Sequence, residues 1–189
     1  MAAESTSATV LLVDDEPELL DLYAAWLDGW CTVRTASDGE TALERVDGEV
    51  DVAFLDRRMP GLPGEDVLRE FRSRGYDCRV AMLTAVEPRT DVVEMPFDDY
   101  VVKPVDGDEL RSVTDVLLQR ATYERKSQEL FALASKKAAL EASGEVDHAT
   151  SPEYRKLTER LDALQAEVDD ALSDLIEQDY SAAFNEIEA

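Results

Sequence analysis

The sequence predicts an α/β domain with a doubly wound parallel sheet, followed by an α-helical segment. Two observations predict this fold class. Five short apolar runs alternate with stretches of helical periodicity over the first part of the chain, a pattern typical of a parallel sheet covered by helices on both faces. After these runs, Asp108 to Ala142 contain neither glycine nor proline. The chain of 189 residues is long enough for two domains, which we place at residues 8–120 and 121–189.

The apolar runs predict five buried strands. Strands covered on both faces are apolar throughout, whereas strands with one solvated face alternate between apolar and polar residues. We expect the five strands to form a single parallel sheet in the order 2-1-3-4-5. The runs are Thr9 to Val13, Cys31 to Ala36, Asp51 to Leu55, Arg79 to Leu83 and Tyr100 to Val102.

Helices are predicted between consecutive strands. In the first three connections apolar residues recur at helical spacing, following Pro17, Asp38 and Pro63. The fourth connection, residues 86–97, contains Pro88 and Pro96. Proline removes a backbone donor and restricts the residue before it, so we expect only a short or distorted helix there.

Two long helices are predicted in the C-terminal segment. The stretch from Asp108 to Ala142 favours one helix of about 35 residues, with a break near Thr122 as the alternative. Ser151 then supplies an N-cap, and Pro152 occupies the first position of a second helix.

The second of these helices carries an apolar seam. Its apolar residues alternate steps of three and four, the spacing of a coiled coil, and such a seam needs a partner. That partner is either the preceding helix, over Leu117 to Leu140, in a helical hairpin, or the same seam of a second copy. The seam consists of Tyr154, Leu157, Leu161, Leu164, Val168, Ala171 and Leu175.

The charge of the chain favours a halophilic origin. Asp and Glu number 43 against 19 Lys and Arg, which gives a net charge of -24, and arginine outnumbers lysine. Molar salt shortens the Debye length to about 3 Å and therefore screens the repulsion among these charges. The same charge repels phosphate backbones and argues against general affinity for nucleic acids.

Neither a membrane span nor a disulfide framework is predicted. No apolar run approaches the ~18 to 20 residues of a membrane helix, and the N-terminus lacks the pattern of a signal peptide. We therefore expect a cytoplasmic protein with no membrane partner. The two cysteines, Cys31 and Cys78, are interpreted as small buried apolar groups that do not pair.

Polar residues follow four of the predicted strands. Asp14 and Asp15 follow the first strand, Asp56 the third, Thr84 the fourth and Lys103 the fifth. In an open α/β sheet, ligands bind at the edge where these strands end. The order 2-1-3-4-5 makes strands 1 and 3 neighbours, so we expect the three carboxylates to converge.

Converging carboxylates need a counter-charge, because each raises the pKa of the others. Lys103 supplies one positive charge, and the remaining negative charge predicts Mg²⁺, which prefers oxygen ligands. A metal only partly coordinated by protein keeps a position for a phosphoryl oxygen, while Lys103 and Thr84 contact the other oxygens. Asp56 would then be the nucleophile that forms an aspartyl phosphate.

Four segments resemble the signatures of the response-regulator receiver domain, in the same order and at similar distances. The resemblance covers about residues 8–120. It implies a flavodoxin-like fold and a two-component system in which Asp56 accepts a phosphoryl group from a sensor histidine kinase. The segments are Val13-Asp14-Asp15-Glu16-Pro17, Asp56-Arg57-Arg58-Met59-Pro60-Gly61, Leu83-Thr84-Ala85 and Asp99-Tyr100-Val101-Val102-Lys103-Pro104.

The resemblance also implies how the site holds its metal. Asp15 and Asp56 would bind Mg²⁺ directly, together with the carbonyl oxygen of Arg58. Asp14 would act mostly through water. The protein would be a phosphoacceptor with at most slow self-dephosphorylation, not an enzyme.

Two further features follow from the same resemblance. Lys103 would precede Pro104 in a cis peptide bond. Tyr100 would be a switch residue, turning inward when Thr84 moves toward the phosphoryl group. The shortened fourth connection departs from the family pattern beside Tyr100, and this puts dimerisation through that face in doubt.

The C-terminal segment resembles the HalX domain, a helical module that follows receivers in halophilic archaea. The resemblance is carried by the long charged helix, the polar loop from Ser143 to Ser151 and the helix start at Pro152. We expect this segment to contact a downstream protein or a second copy of itself.

Other functions were weighed against this one. Residues 120–137 are locally basic, which permits a DNA-binding transcriptional regulator as the alternative, although no DNA-binding motif accompanies them. A phosphatase of the haloacid-dehalogenase type would need a second carboxylate two residues after the nucleophile, where this chain has Arg58. His148, the only histidine, is expected to be a solvated loop residue.

Overall fold

The computed structural model describes residues 8–88, 90–143 and 151–187, with side chains up to Ile176 apart from that of Asp91. Five parallel strands form one sheet in the order β2-β1-β3-β4-β5, which confirms the predicted order. Each strand lies within one residue of its predicted bounds. The strands are β1 (Thr9–Val13), β2 (Thr32–Ala36), β3 (Val52–Leu55), β4 (Arg79–Thr84) and β5 (Asp99–Val102).

Helices connect the strands as the sequence predicted. Between β4 and β5, the described residues form only a 3₁₀ helix of five residues (Thr90–Glu94), flanked by Pro88 and Pro96. This confirms the expected shortening. The α-helices are α1 (Pro17–Leu27), α2 (Gly39–Arg45), α3 (Gly64–Ser73), α4 (Gly107–Ser143) and α5 (Pro152–Ile187).

Each face of the sheet has its own apolar core. Helices α2 and α3 cover one face, where Phe71, Leu68 and Leu55 are fully buried. Helix α1 and the first turns of α4 cover the other face, where Leu27 and Leu117 are fully buried. The two covered faces explain why the strands are apolar on both sides.

The chain divides into two compact units, Met1–Leu118 and Gln119–Ala189. Helix α4 runs without a break from the first unit into the second, so the alternative break near Thr122 is wrong. Helix α5 begins as predicted, because the Tyr154 N–H donates to the Ser151 hydroxyl at 3.2 Å in an N-cap.

Within the second unit, α5 folds back on α4 as a helical hairpin. Arg160 pairs with Glu129 at 2.9 Å and Glu167 pairs with Lys126 at 3.3 Å, so the helices run antiparallel. The seven seam residues are all partly or fully buried, with Leu164 the deepest at 0% exposed. The partner of the α5 seam is therefore α4 of the same chain.

The two cysteines differ in burial. Both cysteines are free; Cys78 is buried, but Cys31 is only half-buried, so its interpretation as a buried apolar group was wrong. Cys31 lies between the end of α1 and the start of β2, where it packs against the edge of the core on the α1 side of the sheet. His148 lies outside the described residues. Among the described helices, none combines the length and apolar character that a membrane crossing requires.

Candidate functional site

The carboxyl ends of β1 and β3 bring two aspartates together. Asp14 directly follows β1 and Asp56 directly follows β3, and these strands are parallel neighbours. The Asp56 N–H donates to the Val13 carbonyl oxygen at 2.9 Å, which continues the ladder one step beyond the strand. The backbone of Asp56 is therefore held in register with that of Asp14.

Three carboxylates converge at this edge, as predicted. One oxygen from each of Asp14, Asp15 and Asp56 lies within 4.8 Å of the others. Asp14 and Asp56 are buried, whereas Asp15 is more open to solvent. Backbone N–H groups orient the buried pair: Glu16 donates to Asp14 Oδ1 and Arg58 donates to Asp56 Oδ1, each at 3.0 Å.

Lys103 lies between the two buried carboxylates. Its Nζ donates to Asp14 Oδ2 at 2.5 Å and to Asp56 Oδ2 at 2.8 Å, and its side chain is only 10% exposed. Burial lowers the pKa of Lys103, but the two aspartates outweigh burial and raise the pKa above its ordinary value. The following peptide bond to Pro104 is cis, as expected.

Thr84 and Tyr100 meet at the loop after β4. Thr84 is fully buried, and its carbonyl oxygen accepts from the Lys103 N–H at 2.9 Å. The Val86 N–H donates to Thr84 Oγ1 at 3.4 Å, and the Val86 carbonyl oxygen accepts from the Tyr100 hydroxyl at 2.6 Å. Tyr100 is half-buried and its ring lies 5.6 Å from that of Phe97.

An open cavity of about 830 Å³ adjoins the carboxylates. Arg57 pairs with Glu65 at 3.4 Å, and the Arg58 side chain is exposed. Ala85 adds little bulk to the wall. The cavity is lined by Asp15, Arg57, Arg58, Met59, Pro60, Pro63, Glu65, Ala85, Val86 and Glu87.

Two residues near the site were missed by sequence reasoning. Gly64 begins α3, and a Cβ placed on it would lie 2.1 Å from the Asp56 carbonyl oxygen, so only glycine fits. The Pro63-Gly64 pair signalled a helix start but not this contact. Tyr23 of α1 is 4% exposed and lies in the electric field of Lys103, Asp14 and Asp56. Sequence periodicity marked it only as a core residue.

A model of the response regulator receiver domain matches residues 10–115 of the chain. The chain belongs to this family. A model of the HalX domain matches residues 119–184, directly after the receiver. The two matches agree with the two resemblances noted in the sequence.

Curated relatives share the receiver but extend beyond it. A putative transcriptional regulator of Haloferax volcanii is 52% identical over 165 residues, which are 86% of this chain and 28% of that protein. The transcriptional regulatory protein CpxR of Klebsiella pneumoniae is 39% identical over 124 residues, 63% of this chain and 53% of that protein. The chain thus spans about half or less of the length of these relatives. The Haloferax relative, from a halophilic archaeon, supports the predicted halophilic origin.

A solved receiver resembles the first unit. The response regulator protein TrrA of Thermotoga maritima, in complex with Mg²⁺-BeF, is 33% identical with a TM-score of 0.51. The match covers 59% of this chain and 99% of that one.

Proposed function

We propose that this chain is a two-component response regulator whose receiver accepts a phosphoryl group on Asp56 from a sensor histidine kinase. The observation that carries the proposal is the position of Lys103, which donates to both Asp14 and Asp56 at the carboxyl edge of the sheet. An aspartate is ionised at neutral pH, so it can act as the nucleophile without a general base.

The chemistry of the donor set suits Mg²⁺. Carboxylate oxygens lie close enough to share one hard cation, and three negative charges face the single positive charge of Lys103. We infer that Asp15 and Asp56 bind the ion directly with the Arg58 carbonyl oxygen, and that Asp14 acts through water. When bound, the ion withdraws charge from the phosphoryl oxygens.

In the transfer, an oxygen of Asp56 attacks the phosphorus of a phosphohistidine. The new O–P bond forms as the N–P bond breaks, and the imidazole keeps the electron pair. Lys103 uses two of its three N–H donors on the aspartates, so one remains for a phosphoryl oxygen. The Thr84 hydroxyl accepts from Val86 and keeps its own hydrogen for a second phosphoryl oxygen. The phosphoryl group stays on Asp56 after the transfer and no product is released. The chain therefore acts as a switch and not as an enzyme.

Tyr100 links this site to the surface. When Thr84 moves toward the phosphoryl group, the loop at Val86 moves with it, because Val86 is bonded to both side chains. Tyr100 follows the loop through its hydroxyl. Tyr100 is therefore the switch residue of the proposal.

The helical output begins after the receiver, and we assign residues 8–120 to the receiver and 121–189 to the output. Two of the cations of α4 are paired with carboxylates, Lys126 with Glu167 and Lys137 with Glu141, which disfavours their use for DNA phosphates. Phe131 of α4 is 73% exposed instead. Aromatic side chains are enriched among the residues that dominate protein interfaces, so we propose that Phe131 contacts the partner, which is a downstream protein or a second copy.

Phosphorylation of Asp56 is tested with a small phosphodonor and Mg²⁺ in molar KCl. Mass spectrometry should locate one added phosphoryl group on Asp56, and chelation of Mg²⁺ should abolish it. Asp56→Asn should not be phosphorylated, whereas Asp77→Asn, at an exposed position outside the site, should match the wild type. Equal labelling of Asp56→Asn would refute the proposal.

The output assignment is tested by Phe131→Glu. If the partner is a second copy, light scattering should show a lower mass for this variant; if it is a downstream protein, a pull-down with that protein should fail. Phosphorylation of Asp56 should stay unchanged in both cases. Val93→Glu, at an 80% exposed apolar residue of the receiver, is the matched control. Specific DNA binding that persists in molar salt would favour the transcriptional alternative.

A further inference from the structure

Helix α4 has an exposed side that faces away from α5. The side that meets α5 is marked by the pair of Lys126 with Glu167 and by the part-buried Leu130 and Leu133. At 3.6 residues per turn, the opposite side takes positions in steps of three and four from 128 to 142. We call this side the neutral face. Its six exposed residues are Gln128, Phe131, Ser135, Ala138, Ala139 and Ala142.

The neutral face carries no charge, although 33% of the residues in the chain are charged. Other exposed positions of the same helix hold Glu129, Lys136 and Glu141. On the neutral face, Phe131 is 73% exposed. A charge buried without a partner is costly, so a side that lacks charges suits a contact that excludes water.

The hairpin has only a small core of its own. Within the described part of the second unit, Leu164 and Val168 are the only buried side chains. In proteins, most of the stability of a helix comes from packing of its apolar side. Two helices with so little buried surface therefore gain from a further contact, and small folds often obtain one by oligomerisation.

The charge of the chain favours a second copy as the occupant of the neutral face. With a net charge of -24, the chain would attract a basic partner to its carboxylates and not to a side without charge. Two copies repel each other wherever carboxylates meet, so they approach closely only where carboxylates are missing. The neutral face is such a place, and molar salt screens the repulsion between the other charges.

The side-chain sizes along the neutral face complement each other in one orientation. Phe131 lies in its first half, whereas the second half ends in alanines. In an antiparallel contact centred on Ser135, Phe131 faces Ala139 of the second copy, where the small side chain leaves room for the ring. A parallel contact would set Phe131 against Phe131 and leave a gap between the alanines. The antiparallel contact uses the same surface on both copies, as a two-fold dimer requires.

We propose that the neutral face binds the neutral face of a second copy, with the two α4 helices antiparallel and Ser135 nearest the two-fold axis. The proposal deepens the proposed function and rests on it, because it names a second copy as the partner of the helical output. From 128 to 142 the contact is about 21 Å long and buries less than the ~1,600 Å² of a typical stable complex. The dimer should therefore dissociate on dilution.

Sedimentation velocity of the full chain in molar KCl tests this contact. The mass should rise from that of a monomer to that of a dimer between micromolar and millimolar protein. Ala138→Glu brings unpaired carboxylates into the contact and should weaken dimerisation by about tenfold or more. Ala134→Glu makes the same exchange at an exposed position of α4 outside the neutral face and should match the wild type.

Cysteine cross-linking tests the orientation of the helices. A disulfide needs two Cα atoms within about 7 Å. Ser135→Cys should form a linked dimer under mild oxidation, but Ala142→Cys alone should not, because its two copies lie about 21 Å apart along antiparallel helices. A mixture of Gln128→Cys and Ala142→Cys should form the linked dimer. The wild type, with Cys31 and Cys78, gives the background.

Three results would each refute the contact. The first is a wild type that stays monomeric at every concentration, which would leave the neutral face to a downstream protein. The second is equal dimerisation of Ala138→Glu and Ala134→Glu. The third is self-linking of Ala142→Cys as efficient as that of Ser135→Cys.

Labelling of Asp56 by a phosphodonor, measured on the same samples, separates this contact from the proposed function. If Asp56 is labelled while the wild type stays monomeric, the contact is refuted and the proposed function stands. If the dimer forms with the expected cross-links while Asp56 takes no phosphoryl group, the proposed function fails. The contact between copies then remains, but without its role as the output of a response regulator.

Discussion

The Tyr100 hydroxyl donates a hydrogen bond of 2.6 Å to the carbonyl oxygen of Val86. The Val86 N–H in turn donates to Thr84 Oγ1. Val86 therefore joins the fully buried Thr84 to the half-buried Tyr100. The position of the Tyr100 hydroxyl is therefore tied to the position of the loop after β4.

Tyr100→Phe should weaken this connection without abolishing phosphorylation. Loss of one hydrogen bond lowers the free energy of unfolding by about 1 kcal/mol. Urea denaturation in molar KCl measures that change, and hydrogen exchange at residues 85–87 should become less responsive to beryllofluoride. Tyr123→Phe, for which the described part of the chain shows no side-chain hydrogen bond, is the control. An unchanged loop response in Tyr100→Phe would exclude the tyrosine as the switch.

Lys103→Gln should separate metal binding from phosphotransfer. The ammonium group repels a divalent cation that binds the same carboxylates, so its removal should tighten Mg²⁺ binding severalfold. Phosphorylation of Asp56 should nevertheless fall strongly, because the variant no longer carries a positive charge to neutralise the phosphoryl oxygens. Calorimetric Mg²⁺ titration and labelling with a phosphodonor give the two readouts.

Lys136→Gln, at an exposed position on α4, is the control for this pair of measurements. It should leave both the Mg²⁺ affinity and the labelling unchanged. Weaker Mg²⁺ binding in Lys103→Gln would contradict the assignment of the carboxylates as metal ligands.

Gly64→Ala tests the contact between the start of α3 and the backbone of Asp56. A Cβ there would lie 2.1 Å from the Asp56 carbonyl oxygen and 2.9 Å from its carbon, both backbone atoms that cannot rotate away. We expect overpacking to lower the free energy of unfolding by about 1–3 kcal/mol and to reduce labelling of Asp56. Gly48→Ala has no atom within 4 Å of the added Cβ and should be neutral or slightly stabilising. Equal denaturation midpoints for Gly64→Ala and Gly48→Ala would show that a Cβ at position 64 causes no strain.

The sequence allowed the sheet and the site to be predicted for the same reason. Strands covered on both faces are continuous apolar runs, and a parallel sheet collects the residues that follow its strands at one edge. Strand order therefore makes Asp14 and Asp56 neighbours, whereas Lys103, two strands away from Asp56, reaches both carboxylates with its long side chain. The assignment of metal-binding roles within this set stays a prediction.

Contacts between helices were not predictable in this way. Trp30 and Asp115 are 85 residues apart, and their hydrogen bond depends on the angle at which α4 packs on α1. Periodicity marks which face of a helix is buried but not which residue it meets. The half-burial of Cys31 and the close approach of Gly64 to Asp56 depend on the same packing details.

Cys31 should react slowly with thiol reagents in the folded protein. Burial, and secondarily Asp115, raises the pKa of its thiol to about 11 from 9.0. The thiolate fraction at pH 8 is then about a hundredfold lower than in the unfolded chain, and the thiolate is the reactive form. In a Cys78→Ala background, the reaction rate with a disulfide reagent should rise on unfolding by about this factor.

The same shift has a defined sign for stability. A raised thiol pKa contributes stability that is complete below pH 9 and is lost as the pH rises from 9 toward 11. Asp115→Asn keeps the acceptor for Trp30 but removes the charge, so Cys31 should react faster in that variant. If Asp115→Asn leaves the reaction rate of Cys31 unchanged, burial alone raises the pKa of the Cys31 thiol.

The net charge of -24 should make stability depend steeply on salt. The Debye length is about 10 Å in 0.1 M salt and 3 Å in 1 M salt, so repulsion among surface carboxylates is largely screened only at the higher concentration. We expect the thermal midpoint, followed by circular dichroism, to rise between these two KCl concentrations. Asp162→Asn, Asp170→Asn and Asp174→Asn together, at exposed positions of α5, should make the rise shallower. Arg155→Gln with Lys156→Gln, also exposed on α5, should make it steeper, because both remove positive charge. If both variants change the rise of the thermal midpoint with KCl in the same direction, screening of carboxylate repulsion does not cause that rise.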